Sequence, residues 1–318
     1  MQIFNRALPD PATARRILVI KLGALGDIIQ AEGALHDVRE HHPHAHITVL
    51  TNPRYKAIFD RCPWVDAVLT DPRGSRLRVD LLLKLRREMR RGGFDSVYDL
   101  QGNRRTGMYY YWLSVPWVGT VAGGPFPQEP CDAAVDTLYE LLRAGGLEAR
   151  HTRRPDLGWL ADDVDPLLAE AGVRPGFVLL IPGCSARHPE KRWPHYAALA
   201  QRLIAEGAQV VMAPGPDEIE LCKTIPGIAL FDAGKPLSVF QLVGLSRRAG
   251  FVIGNDTGPS HIAAHTGAKG LALFGSGVHA SATYIDRRFA VIEVPNLADL
   301  PVDDVYAAYQ AERARPAR

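Results

Sequence analysis

The residues able to do chemistry sit where apolar runs end. Lys21-Leu22-Gly23-Ala24-Leu25-Gly26-Asp27 closes the run that begins at Arg16 and opens a helical pattern. Its glycines let a ligand approach the backbone, and Asp27 offers a carboxylate able to act as a general base. The same Asp suits a helix N-cap, and a helix N-terminus favours the charged carboxylate, which weakens it as a base. The turn is neither the GxGxxG dinucleotide fingerprint nor a Walker A loop, because no Gly-Lys-Ser/Thr follows.

A second apolar run ends in Ile181-Pro182-Gly183-Cys184-Ser185, followed by Arg187-His188-Pro189-Glu190-Lys191-Arg192-Trp193-Pro194. Cations just before a helix make a natural phosphate site, with Lys191 as the contact. The alternative is an exposed loop whose Trp193 packs on the core. A third ends in Ala213-Pro214-Gly215-Pro216-Asp217-Glu218, where an acid can accept from ribose hydroxyls or merely cap a turn. The fourth is the most specific: Gly254-Asn255-Asp256-Thr257-Gly258-Pro259-Ser260-His261. Thr257 and Gly258 put a hydroxyl and bare backbone N–H groups at a helix start, where a pyrophosphate is favoured, and His261 follows about one turn later. The competing arrangement is Asp256 as N-cap with His261 packed inside.

Some chemistries find no residues. There is no HExxH, no close His/Cys cluster and no carboxylate pair of DxD type, so the sequence offers no metal site. Asp303-Asp304 reads as capping of the last helix. No GxSxG elbow occurs.

Alternating strands and helices must position these turns. Apolar runs at 16–21, 46–51, 67–69 and 96–100 alternate with helical patterns at 27–40, at 80–91 and through Tyr109, Tyr110 and Trp112. Residues 115–130 are rich in Gly and Pro and read as irregular. A helix over 132–144 ends at Gly145-Gly146, and the junction between two domains falls near residue 155. A second series follows, with strands at 177–181, 209–212, 228–231, 251–253 and 270–274 and a final helix over 302–314. Two such series predict two doubly wound α/β domains, 1–155 and 156–318, facing a central cleft framed by the carboxyl ends of their strands.

The 318 residues suit that division, and the net charge of +2 excludes a generally basic nucleic-acid binder. The charge is unequal: 1–155 carries +5, 156–318 carries −3, and Arg54–Arg105 alone carries +6, which points to an anionic partner of the first domain. Cys62, Cys131, Cys184 and Cys222 form no CxxC pair and read as reduced thiols of a cytosolic protein. No signal peptide and no apolar run of spanning length is found, so any membrane role is expected to be peripheral.

Four segments, ILVIKLGALGDI, DLQGNRR, IPGCSARHPEKRWPHYAALAQRL and VIGNDTGPSHIAAHTGAKGLALFG, together resemble glycosyltransferase family 9, the heptosyltransferases of lipopolysaccharide assembly. The resemblance implies a GT-B fold, with an acceptor-binding first domain and a nucleotide-sugar-binding second domain. It also implies that the C-terminal helix returns to the first domain. The implied reaction is a metal-independent, inverting, single displacement from ADP-heptose onto an anionic inner-core glycolipid. No cofactor is implied, and the enzyme would be cytoplasmic, peripheral at the inner face of the membrane.

Carried over by position, Asp27 matches the general base and Lys191 a phosphate contact. Glu218, with Asp217 as rival, matches an acid near the donor ribose. Asp256, Thr257, Gly258 and His261 match diphosphate and sugar contacts, and Arg104 and Arg105 face the acceptor. Other nucleotide-sugars, other acceptors and a non-catalytic sugar-nucleotide binder stand as alternatives. After Asp27 the chain departs from the family pattern with Ile28-Ile29-Gln30-Ala31-Glu32-Gly33, which puts the acceptor-side lining in question.

Overall fold

The computed structural model describes residue 8 and residues 10–72, 78–120, 134–185, 188–275 and 288–315. Cys131 and most of the irregular 115–130 stretch lie outside the described residues. The chain divides into two units, Met1–Pro155 and Asp156–Arg318.

In the first unit, β1 (Arg16–Ile20) lies between β2 (His46–Thr51) and β4 (Ser96–Asp99). β3 (Ala67–Thr70) and β5 (Trp117–Val118) form the edges, in the order β3-β2-β1-β4-β5. All four pairings are parallel, with Ile17 opposite Ile47 on one side and Ser96 on the other. Helices cover both faces of such a sheet, which is why β1 is a continuous apolar run and Ile17, Leu18, Val19 and Ile20 are all fully buried. The helices are α1 (Leu25–Gln30), α2 (Glu32–His41), α3 (Lys56–Asp60), α4 (Val79–Arg91), α5 (Arg104–Tyr110) and α6 (Ala134–Ala144).

The single helix expected over 27–40 is thus two, divided at Ala31. Beside the break, the chain comes close: a Cβ on Gly33 would lie 2.1 Å from the carbonyl oxygen of His151. That approach joins residues far apart in sequence. β5, two residues long, was hidden in the stretch read as irregular.

In the second unit, β6 (Val178–Ile181), β7 (Val210–Met212), β8 (Ile228–Ala229), β9 (Phe251–Asn255), β10 (Gly270–Phe274) and β11 (Phe289–Glu293) form one sheet, in the order β11-β10-β9-β6-β7-β8. The pairings are again parallel, with Ile181 opposite Gly254. β11 is an addition to the expected strands. The helices are α7 (Asp165–Glu170), α8 (Tyr196–Ala205), α9 (Ile219–Lys223), α10 (Val239–Arg248), α11 (Gly258–Ala264) and α12 (Val302–Ala314). α12 packs on the core of the second unit. Its Tyr306 and Tyr309 are buried in the same cluster as Trp193, Tyr196 and Phe251, and Tyr309 meets Phe251 edge-on. The aromatic side of the helix found its apolar partner locally.

One buried imidazole makes the first unit acid-sensitive. His42, which ends α2, is 1% exposed, and its Nε2 lies 2.7 Å from the Tyr98 hydroxyl. Burial first, then the charge of His41, pushes its pKa down to about 4. The unfolded chain, with an ordinary His near 6.5, therefore holds the extra proton between those two values. Stability from this group is full above about pH 6.5 and is lost as the pH falls towards 4, by about 3 kcal/mol in all. Urea unfolding at stepped pH should show that slope in wild type and a shallower one in His42→Gln.

Candidate functional site

In both sheets the first strand of the unit sits beside the strand where the order reverses: β1 beside β4, and β6 beside β9. Ligands of doubly wound sheets bind at that reversal, outside the carboxyl ends of the strands. The polar residues singled out from the sequence gather at these two places.

In the first unit, the turn after β1 is braced by the segment after β4. The Gln101 side-chain oxygen accepts from the backbone N–H groups of Leu22 (2.8 Å) and Gly23 (3.1 Å). Lys21 Nζ donates to the carbonyl of Leu100 at 2.9 Å. Burial pulls the Lys21 ammonium below its ordinary pKa, and the charges of Asp27 and Asp99 oppose that pull. Asp99 is itself buried, and burial raises its carboxyl above the usual range against a hydrogen bond from Thr106 and the amides of Gly102 and Gln101. Asp27 sits half-buried in the first turn of α1, its Oδ2 accepting from Ala24 N at 2.9 Å. The N-cap is Ala24 and not Asp27 as the alternative had it; Asp27 is the third helical residue and reaches back to the N-cap amide with one of its two carboxylate oxygens.

Two cations expected at this end behave differently. Asn103 caps α5 by accepting from Arg105 N and Thr106 N. Arg104, at the first helical position, is exposed. Arg105 instead makes a two-pronged ion pair with Asp71, through Nε and Nη2 at 2.6 Å each, and its Nε also donates to the Tyr109 hydroxyl. Asp71 is fully buried, just past β3. The guanidinium fork is thus committed to the protein interior.

Gln30 and Glu32, the departures after Asp27, are also internal, at 6% and 5% exposure, and Glu32 accepts from Trp64 Nε1 at 2.8 Å. They pack the first unit rather than line an open surface.

In the second unit, the loop after β6 and the turn after β9 meet directly. Lys191, ending a 3-10 turn over Pro189–Lys191, donates through Nζ to Asp256 Oδ2 at 2.5 Å. His261 Nε2 lies 3.5 Å from Asp256 Oδ1. Burial works to raise Asp256, but the hydrogen bonds from His261 and Lys191 outweigh it and hold the carboxyl below its ordinary pKa. Thr257 caps α11 in extended conformation without a side-chain cap bond, and its Oγ1 is buried with no hydrogen-bond partner. Gly258 follows as the first residue of α11. Glu218 folds its carboxylate over the loop after β6. Its Oε2 accepts from Gly215 N at 3.0 Å, and a Cβ on Gly183 would fall 1.8 Å from its Oε1, so a side chain at 183 would displace the carboxylate from this position. Asp217, the rival, is exposed.

Residues 129–300, just over half of the chain, match the family described as Glycosyltransferase family 9 (heptosyltransferase). The chain belongs to glycosyltransferase family 9. It is 24% identical over 297 residues to lipopolysaccharide heptosyltransferase 2 of Escherichia coli K12, covering 82% of each. Its fold is similar to that of a family 9 glycosyltransferase from Veillonella parvula, with a TM-score of 0.80 at 20% identity over 97% of this chain and 99% of that one. It is also similar to an E. coli heptosyltransferase solved with ADP-2-deoxy-2-fluoro heptose, with a TM-score of 0.70 at 17% identity over 93% and 99%. The chain is therefore a glycosyltransferase of GT-B fold, with two parallel-sheet α/β units, and at family level its activity is heptose transfer in lipopolysaccharide assembly.

Three residues of this glycosyltransferase's strand ends escaped the sequence reading. Asn255, buried at the end of β9, accepts from Trp193 N and Tyr196 Oη and donates to the carbonyls of Pro182 and Gly183. It ties the β6 loop and the start of α8 to the turn carrying Asp256. Gln101 and Asp71 do the same work in the first unit. Their signal was a polar residue just at or after an apolar run, where a buried amide or carboxylate must find several partners.

His36, Glu40 and His151 also come together, with ligand-capable atoms within 4.8 Å of one another, though no metal spacing was visible in the sequence. His36 stacks between Trp64 and His151 at 3.7 and 3.6 Å, within 6° and 16° of parallel, and His151 pairs with Glu40 at 3.1 Å. Parallel rings send their in-plane lone pairs side by side rather than to one point. The group reads as a clasp beside Asp37, whose carboxylate accepts from Arg150 N, His151 N and Thr152 N just before the unit boundary.

Cys62, Cys184 and Cys222 are unpaired and buried, and burial raises the Cys62 thiol to about 12 and Cys222 to about 11, so neither is a nucleophile. Among the described residues, no helix is long and apolar enough to cross a membrane.

Proposed function

We propose that this glycosyltransferase moves heptose from ADP-heptose to an anionic inner-core glycolipid by a single inverting displacement, at the cytoplasmic face of the membrane. The observation that carries the reading is the Lys191–Asp256–His261 group beside the unpartnered Thr257 hydroxyl, where the second sheet reverses order.

The donor diphosphate needs hydrogen-bond donors, and Lys191 Nζ, His261 Nε2, Thr257 Oγ1 and the Gly258 backbone N–H supply them. Asp256 repels a phosphate by charge. Its part is to hold Lys191 and His261 in place and to accept from sugar hydroxyls. Glu218 accepts from the ribose. In the first unit, Asp27 takes the proton of the acceptor hydroxyl as that oxygen bonds to the anomeric carbon. The bond from that carbon to the β-phosphate oxygen breaks, and its electron pair leaves with ADP. The diphosphate gains charge as it departs, so donors placed there act on the barrier itself. No metal is called on, and Arg104 meets the acceptor's negative groups.

The test is direct. With ADP-heptose and heptose-free core glycolipid, wild type should add one heptose, seen by mass, and release ADP in equal amount. No transfer from ADP-heptose, with turnover of another nucleotide-sugar, would sink the donor assignment. Lys191→Ala removes a charge-assisted bond and should lower kcat/KM for the donor about 10- to 100-fold.

A further inference from the structure

α4 presents a face that the site does not use. Leu85 and Met89 are buried on its inner side. On the outer side, Val79, Leu83, Arg86, Arg87 and Arg90 recur at helical spacing, and Arg91 flanks them. Val79 and Leu83 are 57% and 53% exposed, unusual for aliphatic residues on a polar helix. Leu83, Arg86, Arg87, Arg90 and Arg91 line a recess of about 400 Å³.

Arg86 is only half-exposed, and its Nε is buried with no hydrogen-bond partner, a donor left waiting for an acceptor. Arg90 Nε donates to the carbonyl of Trp112, which brings the segment after α5 alongside, where Tyr111 is 61% exposed. The acids of the helix are already engaged: Asp80 pairs with Arg78 and Glu88 with Lys84.

We infer that this face of α4 docks the enzyme on a bilayer carrying anionic phospholipid. One headgroup phosphate enters the recess and meets Arg86, Arg87, Arg90 and Arg91, while Val79, Leu83 and Tyr111 enter the headgroup boundary. Charge complementarity points to this occupant, with the arginines set around exposed aliphatic side chains of the kind that enter a headgroup boundary. The inference rests on the reading of the acceptor as a membrane-borne glycolipid, and it names the lipid surface that α4 recognises.

The experiment is co-sedimentation of the full chain with vesicles of phosphatidylcholine alone, or with a quarter of phosphatidylglycerol, at low and high salt. Wild type should bind the anionic vesicles only, and less at high salt. Arg87→Gln with Arg91→Gln should cut the partition about 30-fold. Leu83→Ser should cut it about 10-fold at unchanged charge. Arg174→Gln with Lys235→Gln, the same charge removed from the second unit, should bind as wild type. Circular dichroism confirms that each variant folds.

Equal binding to neutral vesicles, wild-type binding by the Arg87/Arg91 variant, or an equal loss in the second-unit control would overturn the inference. So would capture by an RNA homopolymer, dependent on Arg87 and Arg91, in place of vesicle binding. Asp27→Asn should bind vesicles as wild type does, so a failed transfer reading and a failed docking surface give different results.

Discussion

Asp27→Asn should fold as well as wild type and turn over about 10²- to 10⁴-fold more slowly, the range spanned by loss of a general base. The substitution isolates chemistry from structure. Asp27 Oδ2 accepts from Ala24 N at 2.9 Å, and the Asn side-chain oxygen can keep that bond. The amide cannot take a proton from an attacking hydroxyl. Asp27→Ala loses both, so it should carry the same kinetic defect plus about 1 kcal/mol of lost capping. On the proposed reading the donor is held by residues of the second unit, so its binding should be unchanged in both, as measured by the thermal shift that ADP produces. Turnover of the Asn variant within threefold of wild type would remove Asp27 as the base. A defect in Asp27→Ala alone, tracking its stability, would make the residue a cap and nothing more.

How much of this could be read from the chain depended on range. The strand-end turns were legible because their signals are local: an apolar run, a glycine or proline, then a polar residue opening a helix. β10 and α12 matched their expected spans, and Lys191, Asp256 and His261 proved to be neighbours. What holds those turns in place was not legible, because each brace joins distant residues. Gln101 reaches back to Leu22 and Gly23, and Asn255 to Pro182 and Gly183. Asp37 receives the backbone of residues 150–152. A one-dimensional pattern shows that a residue is polar and close to a strand end, but not which loop it will meet there. The +6 stretch from Arg54 to Arg105 shows the same limit. Charge counting pointed to an anionic partner, whereas the fold divides the described cations of that stretch among ion pairs, the exposed Arg104 and the outer face of α4.

Arg105 tests that division most sharply. Arg105→Ala should destabilise the first unit by about 3–5 kcal/mol, because it leaves the carboxylate of Asp71, fully buried, without its two-pronged partner. Tyr109 donates to the same carboxylate at 2.5 Å, but a neutral hydroxyl cannot balance the charge. Arg105→Lys keeps the charge and loses the fork, so its cost should fall between wild type and Ala. Removing both charges, as Arg105→Met with Asp71→Leu, should recover most of the stability, since an apolar pair of similar size often replaces a buried ion pair at little cost. Chemical denaturation of the four proteins measures this directly. The doubly substituted protein then separates structure from recognition. If Arg105 serves the fold, that protein should use acceptor with a KM near that of wild type, while Arg104→Gln should raise the acceptor KM without moving the unfolding midpoint. If the double variant is stable but loses acceptor, Arg105 reaches the substrate after all, and the interior pair with Asp71 is its resting position.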